Sequence, residues 1–548
     1  MSRAAGKNSP IAETADIAPV LIAGGGPVGM TLALALARHG IASRLFERAE
    51  TTTRHPKMDI TNGRSMELFR MLGLAPALRQ AGVPEAHPLD VSWVTSMTGR
   101  ELHRFRYPPP AEARRRFHAI NDGRQPLEPA MRVSQIVVEP ILKAAVDREP
   151  LIDGRWGMAV EDFAQDADGV TLVLRDSRTG EAGAARGRWL CGADGGGSVV
   201  RQAAGIGLEG ERAVANRFMI HFKSDARGVL QRFGVAWHYQ SPKGTLIAQD
   251  DRETWTLHAR FPDDRDARAV DPRRTLFDML GQEIAADIQV ANPWTPHLLL
   301  ADRYRAGRVF LAGDAAHQYI PTGGYGMNTG IGDAVALAWV LAAAEKGWAG
   351  PHLLDAYEAE RRPVGRVNRD WSGRHTGVRL EIAAAYAAEP AAERDPDAAA
   401  RLSSRIAALG NLENEAYGVE FAYRYDASPL VAPILEAETA DAPPDDPTTL
   451  PATAWPGVRA PSFILPDGAA LFDRFDPAGF TLLRFDRSAD PAAMLGGPAP
   501  VRLVDIGMPA AREVYGADLA LVRPDGHLAW RGDRADAAAL AAACGFDP

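Results

Sequence analysis

An α/β protein is expected, and three observations in the sequence predict it. Residues 20–23 form an apolar run that leads into Gly24-Gly25-Gly26-Pro27-Val28-Gly29 and then a helical stretch ended by Gly40. Residues 42–46 read as a second strand finishing on Glu47, so the chain opens in the β-α-β order of a dinucleotide-binding unit. Sheet-like alternation at residues 169–175, 235–239, 245–248 and 254–260 marks a β-rich region between two glycine-turn stretches. From Arg459 onward, short strand patterns and two Pro-Asp-Gly turns, at Pro466 and Pro524, indicate a further small α/β domain.

The bulk properties limit the function classes. A chain of 548 residues exceeds what one hydrophobic core supports. With 46% hydrophobic and 24% charged residues and a net charge of -9, it has the composition of a globular protein and no basic surface for nucleic acid. Cys191 and Cys544 lie too far apart for a CxxC pair, which favours a reducing cytoplasm. Residues 1–16 read as a disordered leader without the apolar core of a signal peptide. The longest apolar run, residues 334–344, is about half of the ~20 residues a membrane span needs, so no membrane partner is expected. Residues 108–129, rich in Pro, Arg and Gly, look like a surface excursion, and residues 437–456 like a linker.

Three motifs carry chemistry. Gly24, Gly26 and Gly29 form GxGxxG, in which missing side chains allow a tight turn and let a pyrophosphate approach the backbone N–H groups, with Pro27 opening the helix. Glu47 stands eighteen residues after Gly29, where a carboxylate can accept hydrogen bonds from ribose hydroxyls, and Arg48 follows it. The second motif, Cys191 to Ser198 with Asp194 at its centre, is a glycine-rich turn after an apolar strand. The third runs from Arg308 through Gly313-Asp314 to His317, then past Pro321 to Gly326-Met327-Asn328 and into an Ala-rich helix.

Together and in this order, the three motifs resemble the single-component flavoprotein aromatic hydroxylases, the group of para-hydroxybenzoate hydroxylase, phenol hydroxylase and the polyketide hydroxylases. Tyr357, Glu360, Arg361, Arg362 and Pro363 match a further family segment, and the tail resembles the redox-inactive thioredoxin-like domain of the phenol hydroxylase branch. The resemblance implies a Rossmann-like FAD-binding domain over residues 17–105, 120–205 and 300–400. Into it is interleaved a β-rich substrate domain of residues 106–119 and 206–299, and a helical segment and linker, residues 401–457, leads to the thioredoxin-like residues 458–548. It also implies that Asp314 holds the ribityl chain of FAD, that Pro321, Gly326, Met327 and Asn328 lie along the flavin, and that Arg132 and Gln135 contact a phosphate and a hydroxyl. Asp194 is implied to serve FAD and NAD(P)H, with NADPH favoured. Ala336 and Val340 depart from the family, which commonly has Asn and Lys there. His317 reads as part of the turn.

On the substrate side, Asp59 stands five residues before Arg64, where phenol hydroxylase carries an acid that acts on the substrate hydroxyl; the competing reading is a cap on the helix that begins near Thr61. Trp237 and Tyr239 either line an aromatic pocket or fill a core, and Trp255, His258 and Trp294 share that ambiguity. The implied reaction consumes NAD(P)H and O2 and hydroxylates a phenolic or fused-ring aromatic small molecule through a flavin hydroperoxide. Because Asp has a reference pKa near 3.9 and a phenol about 10, Asp59 is expected to lie in an apolar pocket that raises its pKa. Rival readings are Baeyer-Villiger insertion or epoxidation on a polycyclic substrate, and a flavin reductase without oxygen transfer; a halogenase is disfavoured because WxWxIP is absent. Monomer and homodimer both stay open.

Overall fold

A computed structural model describes residues 17–57, 59–214, 216–260, 270–432 and 442–547. The expected leader and part of the expected linker lie outside the described residues.

Parallel strands with largely buried apolar segments make the centre of an eight-stranded sheet. Strands Val309–Leu311, Ala182–Gly192, Ala18–Ala23, Ser43–Glu47 and Ile152–Trp156 lie side by side in parallel. This order has a direct consequence for function: the loops after the first three strands, which are the three sequence motifs, and Glu47 at the end of the fourth all emerge at one edge of the sheet. Ligands bind at that carboxyl edge in open α/β sheets. Val170–Asp176 pairs antiparallel with Ala182–Gly192 and so extends this sheet rather than the second one.

The helix Tyr325–Lys346 is long and apolar enough to cross a membrane, longer than the apolar run suggests, but most of it is buried against the helix Pro27–Arg38 and the sheet core. Ala336 and Val340 are both buried there, small and apolar where packing is tight.

A second, seven-stranded sheet has the order Asp287–Trp294, Arg217–Lys223, Thr254–Arg260, Gly244–Ala248, His238–Ser241, Val91–Val94, Glu101–Phe105. Its period-two alternation divides its residues sharply. Phe218, Ile220, Tyr239, Leu246, Trp255 and Leu257 face a hydrophobic core. Their neighbours in sequence, among them Met219, His238, Thr245, Ile247 and His258, face the cavity described below. Residues 108–129 are not only a surface excursion: they contain the helix Pro110–Ile120, and Pro108, Pro110, Ala113 and Pro129 line the same cavity.

The C-terminal residues form a mixed four-stranded sheet, Val501–Asp505, Phe480–Arg484, Leu519–Val522 and Leu528–Gly532, with short helices. Cys544 is buried there and unpaired. Buried ion pairs tie this module to the rest. Arg523 reaches Glu360 at 2.6 and 2.7 Å, and Arg459 reaches Glu67 at 2.7 Å.

Candidate active site

The glycines of the first turn each answer to a different neighbour. Gly24 has φ +106°, and a Cβ there would lie 2.2 Å from the Ala193 carbonyl oxygen, so the turn closes only without a side chain. A Cβ on Gly29 would lie 2.0 Å from the Gly24 carbonyl oxygen, which keeps the helix tight on the turn. A Cβ on Gly26 would meet nothing within 4 Å: it would project into the cavity. Gly26 is the N-cap of Pro27–Arg38, so free backbone N–H groups and the positive end of a helix dipole face that open space. Glu47 is turned to the backbone, its carboxylate accepting from Gly25 N at 2.7 Å and Ala49 N at 2.9 Å, so it braces the glycine turn. Arg48 is exposed and does not line the cavity.

One cavity of about 600 Å³ is lined both by this turn and by the inner face of the seven-stranded sheet. Gly26, Pro27, Gln135, Asp314, Pro321, Gly326 and Met327 line it on the side of the motifs. Asp314 accepts no hydrogen bond among the described residues, and enclosure by the walls raises its pKa against the opposing charges of His317 and Lys57. Its loop is clamped from behind. Buried Asp333 accepts from Gly313 N at 3.1 Å, His317 Nε2 at 2.8 Å and Arg361 Nε at 2.8 Å. Burial acts to raise the Asp333 pKa, but Arg361 and His317 hold it below the usual range. His317 is thus a strut.

Several expected contacts fall elsewhere. Asp194 is folded into its own loop, accepting from Ser198 Oγ at 2.5 Å and Val200 N at 3.2 Å; its neighbours Ala193, Gly195 and Gly196 line the cavity instead. Arg132 is buried off the cavity and donates to the Ala248 carbonyl, because pairing of Met131–Arg132 with Ile60–Thr61 turns it toward the second sheet. Asn328 is a strut. It accepts from Asn62 N at 3.1 Å and donates to Gly324 O at 2.7 Å and Ile60 O at 3.2 Å. Tyr239 donates to Gly234 O at 2.5 Å from the core side of its sheet, so the alternation that places His238 on the cavity excludes it.

Asp59, Trp237 and His238 meet at the cavity wall. The Asp59 Oδ2 accepts from the Trp237 indole and lies 3.5 Å from His238 Nε2, while the Trp237 and His238 rings pack at a tilt of 35° with centroids 4.1 Å apart. The cap reading of Asp59 is excluded: the helix Gly63–Met71 is capped by Asn62, whose side chain accepts from Ser65 N at 2.9 Å. The expectation of a raised pKa is also overturned. Burial does act upward, but the hydrogen bond and charge of His238 and the hydrogen bond of the Trp237 indole outweigh it and hold the Asp59 carboxyl below the usual carboxylate range. Asp59 is ionised at neutral pH.

Farther along the same wall stand His258, which the sequence left between pocket and core, and residues that the sequence did not single out. His258 is kept neutral by burial, its pKa pushed down to about 4. Arg260, two residues on and on the same face, has its pKa lowered to about 10 by burial and by Arg379 and Arg217. Arg379 is paired with Glu413, at 2.7 Å from Nε to Oε2. Glu420, from the short helix Tyr417–Phe421, is pushed up to about 8 by burial, partly relieved by the Gly63 backbone N–H. Strand alternation could have indicated His238, His258 and Arg260; nothing in the local pattern marks residues 413–420.

A family model described as FAD binding domain matches residues 17–372, and one described as aromatic-ring hydroxylase, C-terminal, matches residues 453–545. The chain belongs to the FAD-dependent aromatic-ring hydroxylases. The FAD-dependent monooxygenase apdD of Emericella nidulans is 37% identical over 98% of this chain and 91% of its own. A putative polyketide hydroxylase of Streptomyces halstedii is 31% identical over 95% of this chain and 94% of its own. The flavin-dependent monooxygenase PieE, solved in complex with FAD and substrate, superposes with a TM-score of 0.85 at 29% identity over 95% of this chain and 96% of that one. This hydroxylase is an enzyme that uses FAD, and its structure fits the cofactor: Gly26 leaves open space at a helix N-terminus, and Asp314 offers a carboxylate without a partner on the same cavity.

Proposed function

We propose that this hydroxylase inserts one oxygen atom of O2 into a phenolic or fused-ring aromatic small molecule, using NAD(P)H, and that it acts in the cytoplasm. The observation that carries the reading is the single cavity shared by the open glycine turn and by Asp59 with its partners. Gly26, Pro27, Gln135, Asp314, Gly326 and Met327 are the residues that would hold FAD. Once bound and reduced by NAD(P)H, FAD supplies activation of dioxygen to an electrophilic oxygen. The match of residues 453–545 to the C-terminal domain of aromatic-ring hydroxylases supports a ring substrate over Baeyer-Villiger insertion or simple reduction.

The protein's own residues have three tasks. The helix N-terminus at Gly26 and the carboxylate of Asp314 bind and orient the cofactor. The apolar wall of Ile60, Met219, Trp237, Ile247 and Trp294 excludes water from the ring. Asp59 faces the ring hydroxyl. With Oδ2 fixed by Trp237 and His238, Oδ1 accepts a hydrogen bond from the substrate hydroxyl, which draws its proton away and makes the ring more electron-rich. The lowered pKa keeps Asp59 charged, as an acceptor of the hydroxyl hydrogen bond rather than a base that removes the proton outright.

The test compares three variants. Gly26→Val and Asp314→Ala should lose FAD on purification, while Asp59→Ala should keep it and continue to oxidise NAD(P)H. Product formed per NAD(P)H by Asp59→Ala should fall by about 10²-fold, the lower range for a positioned acid–base group, with hydrogen peroxide rising to match. Normal coupling in Asp59→Ala would remove Asp59 from the reaction; retained FAD in both cofactor variants would refute the binding assignment.

A further inference from the structure

The cavity wall formed by the strand Thr254–Arg260 is polar at one end in a way that a plain phenol does not require. Arg260 lines the cavity, is only partly exposed, and makes no side-chain hydrogen bond or ion pair among the described residues. The acid that could neutralise it, Glu413, is already bidentate on Arg379. Arg217 lies directly across the strand pair, in register with Arg260. Arg260 and Arg379 both border this end of the cavity, with Glu413 committed to Arg379. A guanidinium moved out of water without a carboxylate is costly, and the cost is relieved by an anion that can take two of its N–H groups.

The opposite end of the same wall has the opposite character. Asp59 is ionised there, and His258 stands between the two ends, two residues before Arg260 on the same face, hence about 6–7 Å from it at strand rise. The order along the wall is carboxylate, neutral imidazole, guanidinium. Asp314, which has no hydrogen-bond partner among the described residues, lies on the side of the cofactor motifs.

Resting on the proposed hydroxylation, we infer that the substrate carries a second, ionised oxygen acid, a carboxylate or an acidic enol, which Arg260 holds while its ring hydroxyl faces Asp59. The subsite narrows the substrate from aromatic compounds in general to anionic ones, and it fixes which way round the ring enters. A neutral phenol or naphthol would leave Arg260 unpaired. An anion bound in reverse would meet Asp59, a like charge.

The experiment measures binding to the FAD-loaded protein by flavin difference absorbance. The probes are a panel of hydroxynaphthoates and hydroxybenzoates, each beside its neutral carboxamide, together with 4-hydroxycoumarin as an acidic enol beside neutral coumarin. The native protein should prefer the anion in at least one pair, and the pair that does so tells carboxylate from enol. Arg260→Gln should weaken that anion by about 10- to 100-fold, the loss expected for one charge-assisted pair, and leave its neutral partner unchanged. Arg260→Lys should recover part of the loss. Equal binding of anion and neutral partner, no binding of any anion, or equal loss of both partners in Arg260→Gln would overturn the inference. Failure here is separate from failure of the hydroxylase reading, which the native protein's failure to hold FAD or to oxidise NAD(P)H would signal.

Discussion

Glu420 illustrates how far burial alone moves a single side chain. It lines the cavity with one backbone N–H for relief, and its pKa stands at about 8. The folded protein therefore binds a proton at Glu420 that the unfolded chain releases near the ordinary carboxyl value. A folded-state pKa raised above the unfolded one adds stability that is full below the unfolded pKa and lost as pH rises through the folded pKa. Stability should then decline between about pH 4.5 and pH 8 by an amount that Glu420→Gln removes. Melting temperatures of the two proteins should coincide near pH 5 and diverge by pH 8, with the variant higher. A constant difference across that range would mean that Glu420 is ionised throughout. Asp59 shows the opposite outcome from the same starting point: it too is enclosed, but the Trp237 indole and His238 compensate its charge.

At the scale of elements, the active site depends on a two-stranded pairing and one amide. Ile60–Thr61 pairs with Met131–Arg132, and Asn328 at the start of Tyr325–Lys346 bonds to Ile60 and Asn62 on either side of Thr61. Asp59 is the residue immediately before that strand. Asn328→Ala would leave buried backbone groups without partners, each costing about 1–3 kcal/mol. The expected result is a lower melting temperature and a raised KM for the aromatic substrate with FAD content preserved. An unchanged KM would show that Asp59 keeps its place without this tie. Because Asn328 follows the glycine turn that lines the cavity, its placement in a cofactor motif is natural from sequence, yet its amide is turned to Asn62, Ile60 and Gly324.

At the scale of the molecule, the C-terminal module is fastened by charge as well as by apolar packing. Arg523 is fully buried between Glu360, on the long helix Leu353–Ala388, and Asp525. The same helix carries Arg361 to Asp333 and Tyr357 to the Leu311 carbonyl, so one element links the module, the Asp314 loop and the central sheet. Arg523→Ala would strand two buried carboxylates, and removing one partner of a buried pair costs about 3–5 kcal/mol. Calorimetry should show a clearly lower melting temperature, with the module cleaved first in limited proteolysis. A melting temperature within about 1 °C of the native value would mean that packing alone holds the module, since 1 kcal/mol shifts a domain of this size by roughly 2–4 °C.

The parts legible in the sequence are those written locally. Gly24, Gly26 and Gly29 state a backbone turn by lacking side chains, residues 42–46 state a strand, and both keep these roles because neighbours a few residues away enforce them. Tertiary structure decided what each charged or aromatic side chain faces. Trp237 and Tyr239 read alike as pocket or core, but the strand turns His238 to the cavity and Tyr239 to the core only once its partners on both sides are in place. Asp59 reads as a weak base that burial must strengthen, and its character is reversed by Trp237 and His238, 178 residues away in the case of the indole. Such pairings depend on which strands the fold brings together, and a side chain's electrostatic state is set by those distant neighbours, whereas a turn is set by the covalent geometry of the residues that form it.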